Sequence, residues 1–492
     1  MKTKRAKVTY LIALLVIVGL LIFLGTSFQG KPNPVLTIDG ETVETNTPFA
    51  ATFWSLLPPI VAIALALISK EVYSSLFFGC LVGALLYTQF HPWQTIVELV
   101  GSNYGIISVL ADSYDMGIIV FLVVLGIMVD LMNKGGGSEA FGRWAKHSVK
   151  TRCGAQLITM LLGVLIFVDD YFNCLTVGAV MRPVTESHKI SRAKLAYIID
   201  ATAAPVCMIA PVSSWAAAVS GYVTSSTVNG FDMFIKQIPY NYYCLLTLVM
   251  IIVTSLLNLD YGPMLKHEYN AQVKGDLFTT EERPFEGADD YEKPAKGKSS
   301  VLDLVLPVVV LIVACIVGMI YSGGYFDGND FVSSFSDADA AVGLSIGGLI
   351  GLVFTFLYFW IRGSIDFDKS FESVPKGFIQ MIAPILILTF AWTLCSFTRN
   401  AMYSAEFVKA AMAGAGELKF FLPAIIFIIG CAIGFATGTS WGTIGIMAPI
   451  VVNVFNAPSV WLRPVPAALW ATTAPPSPIP PSWPLPAPTA SI

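Results

Sequence analysis

Charged side chains are scarce in this chain. Asp, Glu, Lys and Arg make up 13% of its 492 residues, whereas soluble globular proteins carry about 25%. This deficit excludes a fold whose whole surface faces water. The net charge of −4 offers no basic excess for binding nucleic acid. The eight cysteines form no CxxC pair, which favours their interpretation as small hydrophobic residues over disulfides or metal ligands.

What the sequence does contain is a series of apolar runs, each close to the roughly 20 residues that a helix needs to cross a bilayer. We predict an all-α polytopic membrane protein of about 11–12 spans, including re-entrant or broken helices. The first run follows a basic start and resembles a signal peptide, but it is longer than a signal core, so a retained helix is expected. Segment 94–113 is weaker and is expected to lie at the interface. The predicted spans are 8–27, 48–68, 72–90, 116–133, 154–181, 195–224, 240–259, 301–321, 340–361, 377–398 and 418–455.

The distribution of Lys and Arg predicts the orientation, because cytoplasmic loops carry more of them. Basic residues within 1–7 place the N-terminus in the cytoplasm, and loop 28–47 is expected outside. Both flanks of span 154–181 are rich in Lys and Arg, so both ends are expected on the cytoplasmic side. A single helix cannot satisfy this condition, whereas a hairpin or broken helix can. Its apex would fall near Asp169 and Asp170.

The charge pattern also suggests how the chain is organised. A hydrophilic, presumed cytoplasmic loop, 260–300, separates a first membrane half, 1–259, from a second, 301–456. The segment FVDDYFNCLTVGAVMRP (167–183) resembles FATGTSWGTIGIMAP (435–449), each with a polar kink, a Gly-containing return and a final Pro. Inverted repeats with broken helices at the bilayer midplane are a known transporter architecture. The alternative is that such small, polar segments recur by chance.

Asp169 and Asp170 are the strongest functional signal. A carboxylate at the centre of a span costs about 2.5–3.5 kcal/mol even on the lenient insertion scale. Two adjacent carboxylates need a cation, a proton or a water-filled cavity to compensate them, and they do not ionise together easily. Such a pair can bind a proton or a transient Na⁺ in competition, which is what an antiporter requires. The alternative is a pair at the membrane surface or in a salt bridge.

Several polar residues could complete such a site with oxygen ligands, which hard cations prefer. Asn173 and Thr176 follow the acidic pair, and each could equally serve helix packing. In segment 197–215, Pro205 and Pro211 are expected to break the helix near two serines. Asp200 in the same segment could relay protons, contact substrate, or simply cap a helix or lie at the surface. The remaining candidates are Ser213, Ser214, Thr437, Thr439, Ser440 and Thr443.

Three long segments together resemble the NhaC-type sodium/proton antiporter family. They are residues 55–86, residues 162–218, which contain VDDYFNCLTVGAVMRP, and IGFATGTSWGTIGIMAPI at 433–450. The resemblance implies a secondary antiporter of the bacterial inner membrane that exchanges Na⁺ for protons without a cofactor. By position, the family's polar core falls at Asp169, Asp170, Thr439 and Ser440. Some relatives resemble exchangers of organic acids or amino acids, so a small organic solute stays an alternative substrate. The sequence leaves open whether the chain forms a homo-oligomer.

The tail, 457–492, departs from this family. The family would continue with an intramembrane motif, G-D-H-C-S-P-I-S-D-T-T, whereas ten prolines lie within 464–488 and no charge follows Arg463. Such a segment cannot form a spanning helix. The reading frame one base away can encode the missing motif. In that frame, the last base of the Trp470 codon and the first two of Ala471 encode Gly, and the corresponding bases of Trp483 and Pro484 encode Ala. We therefore predict that residues from about 457 onward are a frameshifted translation. An inactive chain, without the intramembrane Asp/His motif, is the alternative that this frameshift leaves open.

Two other classes of function remain. An intramembrane enzyme would need a DDxxD-like spacing or a GxGD motif; here DDYFN ends in Asn, and GxGD does not occur. The sequence therefore favours a transporter over an enzyme. A sensor would bind ligand without moving it, and the sequence cannot distinguish it from a transporter. The four histidines, His91, His147, His188 and His267, fall in predicted loops and are assigned no role.

Overall fold

The computed structural model describes the first three quarters of the chain nearly continuously. The described residues are 4–38, 41–69, 71–101, 103–168, 170–221, 230–279 and 299–404, with 406, 407, 410, 424, 427–431 and 444. Within them the fold is helical apart from one hairpin. In it β1 (Val35–Ile38) pairs antiparallel with β2 (Glu41–Glu44), with Val35 opposite Glu44.

The N-terminal part consists of α1 and a group of helices that follow the hairpin. Two of these begin at acidic caps: the Glu71 carboxylate accepts from the N–H groups of Tyr73 and Ser74, and Asp112 caps the start of a long helix in the same way. The helices are α1 (Lys4–Phe28), α2 (Leu57–Ser69), α3 (Val72–Tyr87), α4 (Pro92–Val100), α5 (Ile106–Ala111), α6 (Ser113–Lys134) and α7 (Gly137–Ser148).

The central part is built from shorter helices, several of them interrupted. They are α8 (Arg152–Leu165), α9 (Asp170–Ser187), α10 (Arg192–Thr202), α11 (Ala204–Cys207), α12 (Ser214–Gly221), α13 (Gly230–Gln237), α14 (Tyr242–Leu256) and α15 (Gly262–Tyr269). A π-helical turn, Asn270–Lys274, follows α15. Helix α12 lies at the centre of the molecule, where Trp215, Ala216 and Ala217 are fully buried.

The C-terminal described part contains the longest helices. They are α16 (Leu302–Ser322), α17 (Phe331–Ser336), α18 (Ala340–Ile361), α19 (Phe367–Phe371) and α20 (Ser373–Cys395), which continues into a π-helical turn at Ser396–Ala401.

The predicted fold class is confirmed: the chain is an all-α polytopic membrane protein. Within the described residues, four helices are long and apolar enough to cross a bilayer, namely α6, α16, α18 and the helix that contains α20. A fifth span results if α13 and α14, which meet at an angle of 44°, are counted together. The other predicted spans correspond to shorter or broken helices, or lie outside the described residues.

Close packing of small residues joins the four long helices. A Cβ added at Gly347 of α18 would lie 2.4 Å from the Cα of Cys315 in α16, and one at Gly377 of α20 would lie 2.3 Å from the backbone nitrogen of Ile127 in α6. Both distances are far shorter than any real Cβ contact allows. Glycine thus lets these helices approach backbone to backbone, as small residues do in membrane interfaces. We call α6, α16, α18 and α20 the long-helix bundle.

Two segments expected to be loops contain the helices α7 and α15. Helix α7 lies in the predicted loop before residue 154, and α15 lies at the start of the hydrophilic loop 260–300. Because both are short and polar, hydropathy does not reveal them. His147 and His267 consequently lie in helices and not in loops. The weak segment 94–113 forms the short helices α4 and α5, neither long enough to cross a bilayer. The eight cysteines, all within the described residues, form no disulfide.

Candidate functional site

The predicted break within span 154–181 is present between α8 and α9. Helix α8 ends at Leu165, and Ile166 leaves the helical conformation with φ −96° and ψ 52°. Helix α9 then begins at Asp170, whose side chain is buried with 8% of its surface exposed. The first turn of a helix favours a carboxylate, because unpaired N–H groups and the helix dipole are positive there. Asp169 lies outside the described residues.

Asn173, one turn into α9, joins three backbone segments. Its side-chain nitrogen donates to the carbonyl oxygens of Gly163, at 2.6 Å, and of Ile166 and Thr202, both at 3.1 Å. Carbonyls at a helix end have no partner within the helix, so a buried end needs a donor of this kind. Asn173 therefore satisfies the ends of both α8 and α10 with one amide group.

A second break lies between α10 and α12. Ala203 leaves the helical conformation directly after α10, and Pro205 occupies the first turn of α11. Residues 208–213, which include Pro211, are irregular before α12 begins. The prediction that these prolines break the helix is confirmed. Proline cannot donate a backbone hydrogen bond and disfavours the helical conformation of the residue before it.

The two breaks are joined directly by a hydrogen bond. The N–H of Ser214, the first residue of α12, donates to the carbonyl oxygen of Val168 at 2.8 Å. Next to it, the Ser213 hydroxyl donates to the Cys207 carbonyl at 2.8 Å and accepts from the Ala216 N–H at 3.0 Å. Ser213 is thus an N-cap that holds the second break in shape. The hydrogen bond from Ser214 places this cap beside the acidic end of the first break.

Three buried oxygen atoms around these breaks have no hydrogen-bond partner among the described residues: Asn173 Oδ1, Thr176 Oγ1 and Ser214 Oγ. All three side chains are at most 2% exposed. Because the Asn173 nitrogen is committed to three carbonyls, its oxygen must point the other way. An unsatisfied buried polar group typically costs about 1–3 kcal/mol. Together with the Asp170 carboxylate, these atoms provide the oxygen ligands that a hard cation prefers.

Asp200 lies in the last turn of α10, two residues before the Thr202 carbonyl that Asn173 binds. Its carboxylate interacts electrostatically with Tyr197 and Tyr243, and no hydrogen bond or ion pair to it occurs within the described part of the chain. A helix C-terminus is the unfavourable end for a carboxylate. The proposed part of Asp200 in proton transfer therefore stays a prediction, as does the alternative of a capping or surface Asp.

The structure thus places five of the predicted site residues beside the two breaks or on the helices that flank them: Asp170, Asn173, Thr176, Ser213 and Ser214. Asp200 lies beyond them, near the end of α10. The other candidates, Asp169, Thr437, Thr439, Ser440 and Thr443, lie outside the described residues, as does the proposed repeat around 435–449. Within the described residues, no three His, Cys, Asp or Glu side chains form a group that could hold a metal ion.

Sequence reasoning missed Gly163 and Thr202, which position the site. A Cβ at Gly163 would lie 2.2 Å from the Thr202 hydroxyl oxygen, so the absence of a side chain lets α8 and α10 meet where Asn173 binds both. Thr202 directly precedes the proline-induced break, and that position was the one signal that could have indicated it. Nothing local in the sequence indicates Gly163.

Comparison with known proteins identifies the family of the chain. The sequence model of the Na⁺/H⁺ antiporter family matches residues 206–482, more than half of the chain. The chain belongs to the Na⁺/H⁺ antiporter family. It is also 33% identical over 445 residues to an uncharacterized protein of Haemophilus influenzae, an alignment that covers 86% of this chain and 82% of that protein. This member of the family is thus a multi-pass membrane transporter. The family is one of cation/proton antiporters, and the match does not identify the substrate of this chain.

The matched range begins after Asp170 and Asn173 and includes both serines of the second break. It also runs past Asn456, where the resemblance to the family's motifs was expected to end. Membership of the NhaC-type branch and the frameshift therefore stay proposals.

Proposed function

We propose that this family member is an NhaC-type antiporter that exchanges Na⁺, or a similar monovalent cation, for protons across the bacterial inner membrane. One observation carries the proposal. A buried carboxylate, Asp170, lies on a helix break together with three buried oxygen atoms that have no partner among the described residues. A cation bound at this break would find a carboxylate and unpartnered oxygen atoms as ligands.

Competition at Asp170 is the proposed basis of the exchange. In a site of low dielectric constant, a carboxylate is stabilised by either a proton or a cation. A cation would gain the oxygens of Asn173, Thr176 and Ser214 as ligands, whereas a proton needs only the carboxylate. We propose that Asp169 shares the transient Na⁺, and that Thr437, Thr439, Ser440 and Thr443 complete the site from the second half.

The Asp170→Asn substitution tests this function. The amide can hold neither an exchangeable proton nor a full negative charge, so Na⁺-dependent proton movement should disappear. The measurement is the collapse of a pH gradient in everted membrane vesicles after NaCl is added. Asp327→Asn is the matched control, because this acid is exposed in a loop. Unchanged exchange in Asp170→Asn, at equal abundance in the membrane, would exclude Asp170 from the site.

The same vesicles separate the proposed substrate from the alternative. Na⁺ and Li⁺ should each move protons without an added organic solute. If proton movement occurs only after an organic acid or amino acid is supplied, the chain is an exchanger of that solute, and Asp170 handles the coupling ion. If ligand binding is measurable but no ion moves, the chain is a sensor.

Orientation and location are a second part of the proposal. The basic residues within 1–7 favour a cytoplasmic N-terminus, by the positive-inside rule. A reporter that fluoresces only in the cytoplasm, fused to the N-terminus, should therefore be bright. A dark, full-length fusion would reverse the proposed topology.

The Pro-rich tail is the third part. We propose that residues from about 457 onward arise from a shifted reading frame, on the basis of their proline content and of the motif that the neighbouring frame can encode. The nucleotide sequence of the gene tests this proposal. If the neighbouring frame does not spell the motif, the proposed frameshift is wrong. The vesicle assays therefore use both the chain as given and a frame-restored version.

A further inference from the structure

A second polar cluster lies about 16–21 Å from the candidate site, at the other ends of α8 and α10, which contain 14 and 11 residues. It is formed by the segment that follows α14. Residues 260–279, which include α15 and the π-helical turn, fold across the first residues of α8 and α10. We call this segment the clasp.

Glu268 is the centre of the clasp, and only 1% of its surface is exposed. Its Oε1 accepts from the backbone N–H of Ser191 at 2.9 Å and from the Ser191 hydroxyl at 2.6 Å. The same carboxylate pairs with Arg152, the first residue of α8. Ser191 is the N-cap of α10, where its oxygen accepts from the Lys194 N–H. One carboxylate therefore connects the starts of both helices.

A second carboxylate completes the charge balance. Asp260 accepts from Lys194 Nζ at 2.8 Å and lies 3.6 Å from Arg152. Lys194 and Asp260 are both nearly buried. Two acids thus face two bases, Arg152 and Lys194, and Arg152 is the most exposed of the four, with 19% of its side chain accessible. Removing one member of such a network leaves a buried charge without compensation.

The far end of the clasp contacts the first residue of α10. The Arg192 N–H donates to the Leu277 carbonyl at 3.0 Å, and its guanidinium lies 4.9 Å from the centre of the Phe278 ring. Arg192 also pairs with Glu186, in the last turn of α9, at 2.5 Å. The clasp therefore contacts α8 and α10 directly and is linked to the end of α9 through Arg192. Those helices are fixed at both ends, by Asn173 at the site and by the clasp at the other end.

We propose that Glu268 is a positioning residue for the ion site, and that the clasp stays closed while α8, α9 and α10 move as one rigid unit. The proposal rests on the proposed function, because the affinity at issue is that for the transported cation. A gate would need this buried, charge-balanced network to separate and re-form in each cycle. A permanent connection needs no such separation, and its effect is to hold the Gly163 and Thr202 carbonyls where Asn173 binds them.

Glu268→Gln is the first test. The neutral amide loses the charge that holds Arg152, so the ends of α8 and α10 should shift and the ion ligands with them. We expect KM for Na⁺ in everted vesicles to rise by about twofold to thirtyfold, the range for substitutions that act on a site from a distance. Glu268→Asp keeps the charge and should recover part of the affinity. Glu44→Gln, in the exposed strand β2, is the matched control.

A merely structural role predicts a different result. If Glu268→Gln only lowers stability, the abundance and maximal rate fall while KM stays unchanged, and the proposal is wrong.

Two further measurements do not depend on transport. The Na⁺-induced rise in Tm reports binding directly. Labelling of the half-buried Cys153, next to Arg152, should be slow in the parent with or without Na⁺ and faster in Glu268→Gln. Equal labelling in the two proteins would also overturn the proposal.

Cross-linking tests whether the clasp opens. Arg192→Cys and Phe278→Cys, joined by a short thiol-specific linker, would fasten the clasp to α10. The background replaces the four partly exposed cysteines with Ala: Cys153, Cys174, Cys395 and Cys431. We expect cross-linked protein to keep Na⁺-dependent exchange within about twofold of the same protein without linker. Loss of exchange on cross-linking would show that the clasp is a gate. If the parent protein shows no exchange at all, the proposed function is contradicted. The comparison of Cys153 labelling between the parent and Glu268→Gln would then still test whether Glu268 holds the clasp closed.

Discussion

At the scale of single residues, the candidate site depends on how one side chain divides its two polar atoms. The nitrogen of Asn173 serves three carbonyls that two helix ends leave unpaired, and this use fixes the direction of its oxygen. Rotating the amide by 180° would face an oxygen toward three oxygens. The residue thus stabilises the fold with one atom and is free to bind a ligand with the other.

Ser213 and Ser214 provide a direct comparison of these two roles. Ser213→Ala should destabilise the protein by about 1 kcal/mol, because it removes a cap and leaves the Cys207 carbonyl without that donor. Ser214→Ala removes a buried hydroxyl that has no partner within the described residues, so stability should be unchanged or slightly higher. If the hydroxyl binds the cation, KM for Na⁺ should nevertheless rise.

Thermal unfolding and vesicle transport measured on both serine variants test this expectation. A loss of stability in Ser214→Ala with unchanged KM would assign its hydroxyl to the fold and remove it from the site.

Asp200 is expected to affect the pH dependence of exchange and not its existence. It lies outside the oxygen cluster but at the end of the helix that Asn173 binds. Asp200→Asn should retain exchange while the pH of half-maximal rate shifts, because one titrating carboxylate is removed. The pH profile of Na⁺-dependent exchange is the measurement, with Asp327→Asn as reference. A superimposable profile would leave Asp200 without a part in proton transfer.

At the scale of helices, the two breaks were predictable and their connection was not. Pro205 and Pro211 indicate the second break by the geometry of proline alone, and the charges that flank span 154–181 indicate the first. The hydrogen bond from Ser214 to Val168 joins residues far apart in sequence, and no local pattern encodes it. Helices α7 and α15 escaped prediction because they are too short and polar for hydropathy to detect.

The contact between α8 and α10 gives a prediction at this scale. Gly163→Ala should lower Tm and raise KM for Na⁺, because its Cβ would collide with Thr202 and separate the carbonyls that Asn173 binds. Thr202→Ala in the same chain should recover part of the loss. Gly178→Ala is the control, since its Cβ would meet Ile199 at an ordinary 3.6 Å. Equal behaviour of the two Ala variants would contradict the proposed close approach.

At the scale of the whole molecule, the long-helix bundle and the site-bearing helices differ in construction. The bundle consists of continuous apolar helices in backbone contact, whereas α8 to α12 are short and held together by side-chain hydrogen bonds. Hydropathy alone predicted the bundle and the all-α class. Hydropathy does not identify the site, which depends on individual polar residues. About half of the predicted site residues fall within the described part of the chain.

A substitution in the bundle should therefore affect assembly and not ion affinity. Gly347→Ala places a methyl group against the backbone of Cys315, which typically costs about 1–3 kcal/mol. We expect less folded protein and a lower Tm, with an unchanged KM for Na⁺ in the protein that does fold. Gly19→Ala, where nothing lies within 4 Å, is the control. A raised KM in Gly347→Ala would mean that the bundle shapes the site.

The shortness of α8 and α10 also bears on how the protein is made. Neither helix is long enough to be retained in a bilayer by hydrophobicity alone. Both leave the ribosome after α6 but before α16, α18 and α20, the other three long apolar helices of the described chain. Synthesis thus delivers the polar, interrupted segments to the insertion machinery while most of their supporting neighbours do not yet exist. Their retention during translation must rely on one another and on the helices made before them, including α6, so we expect this interval to be a step at which folding is open to failure.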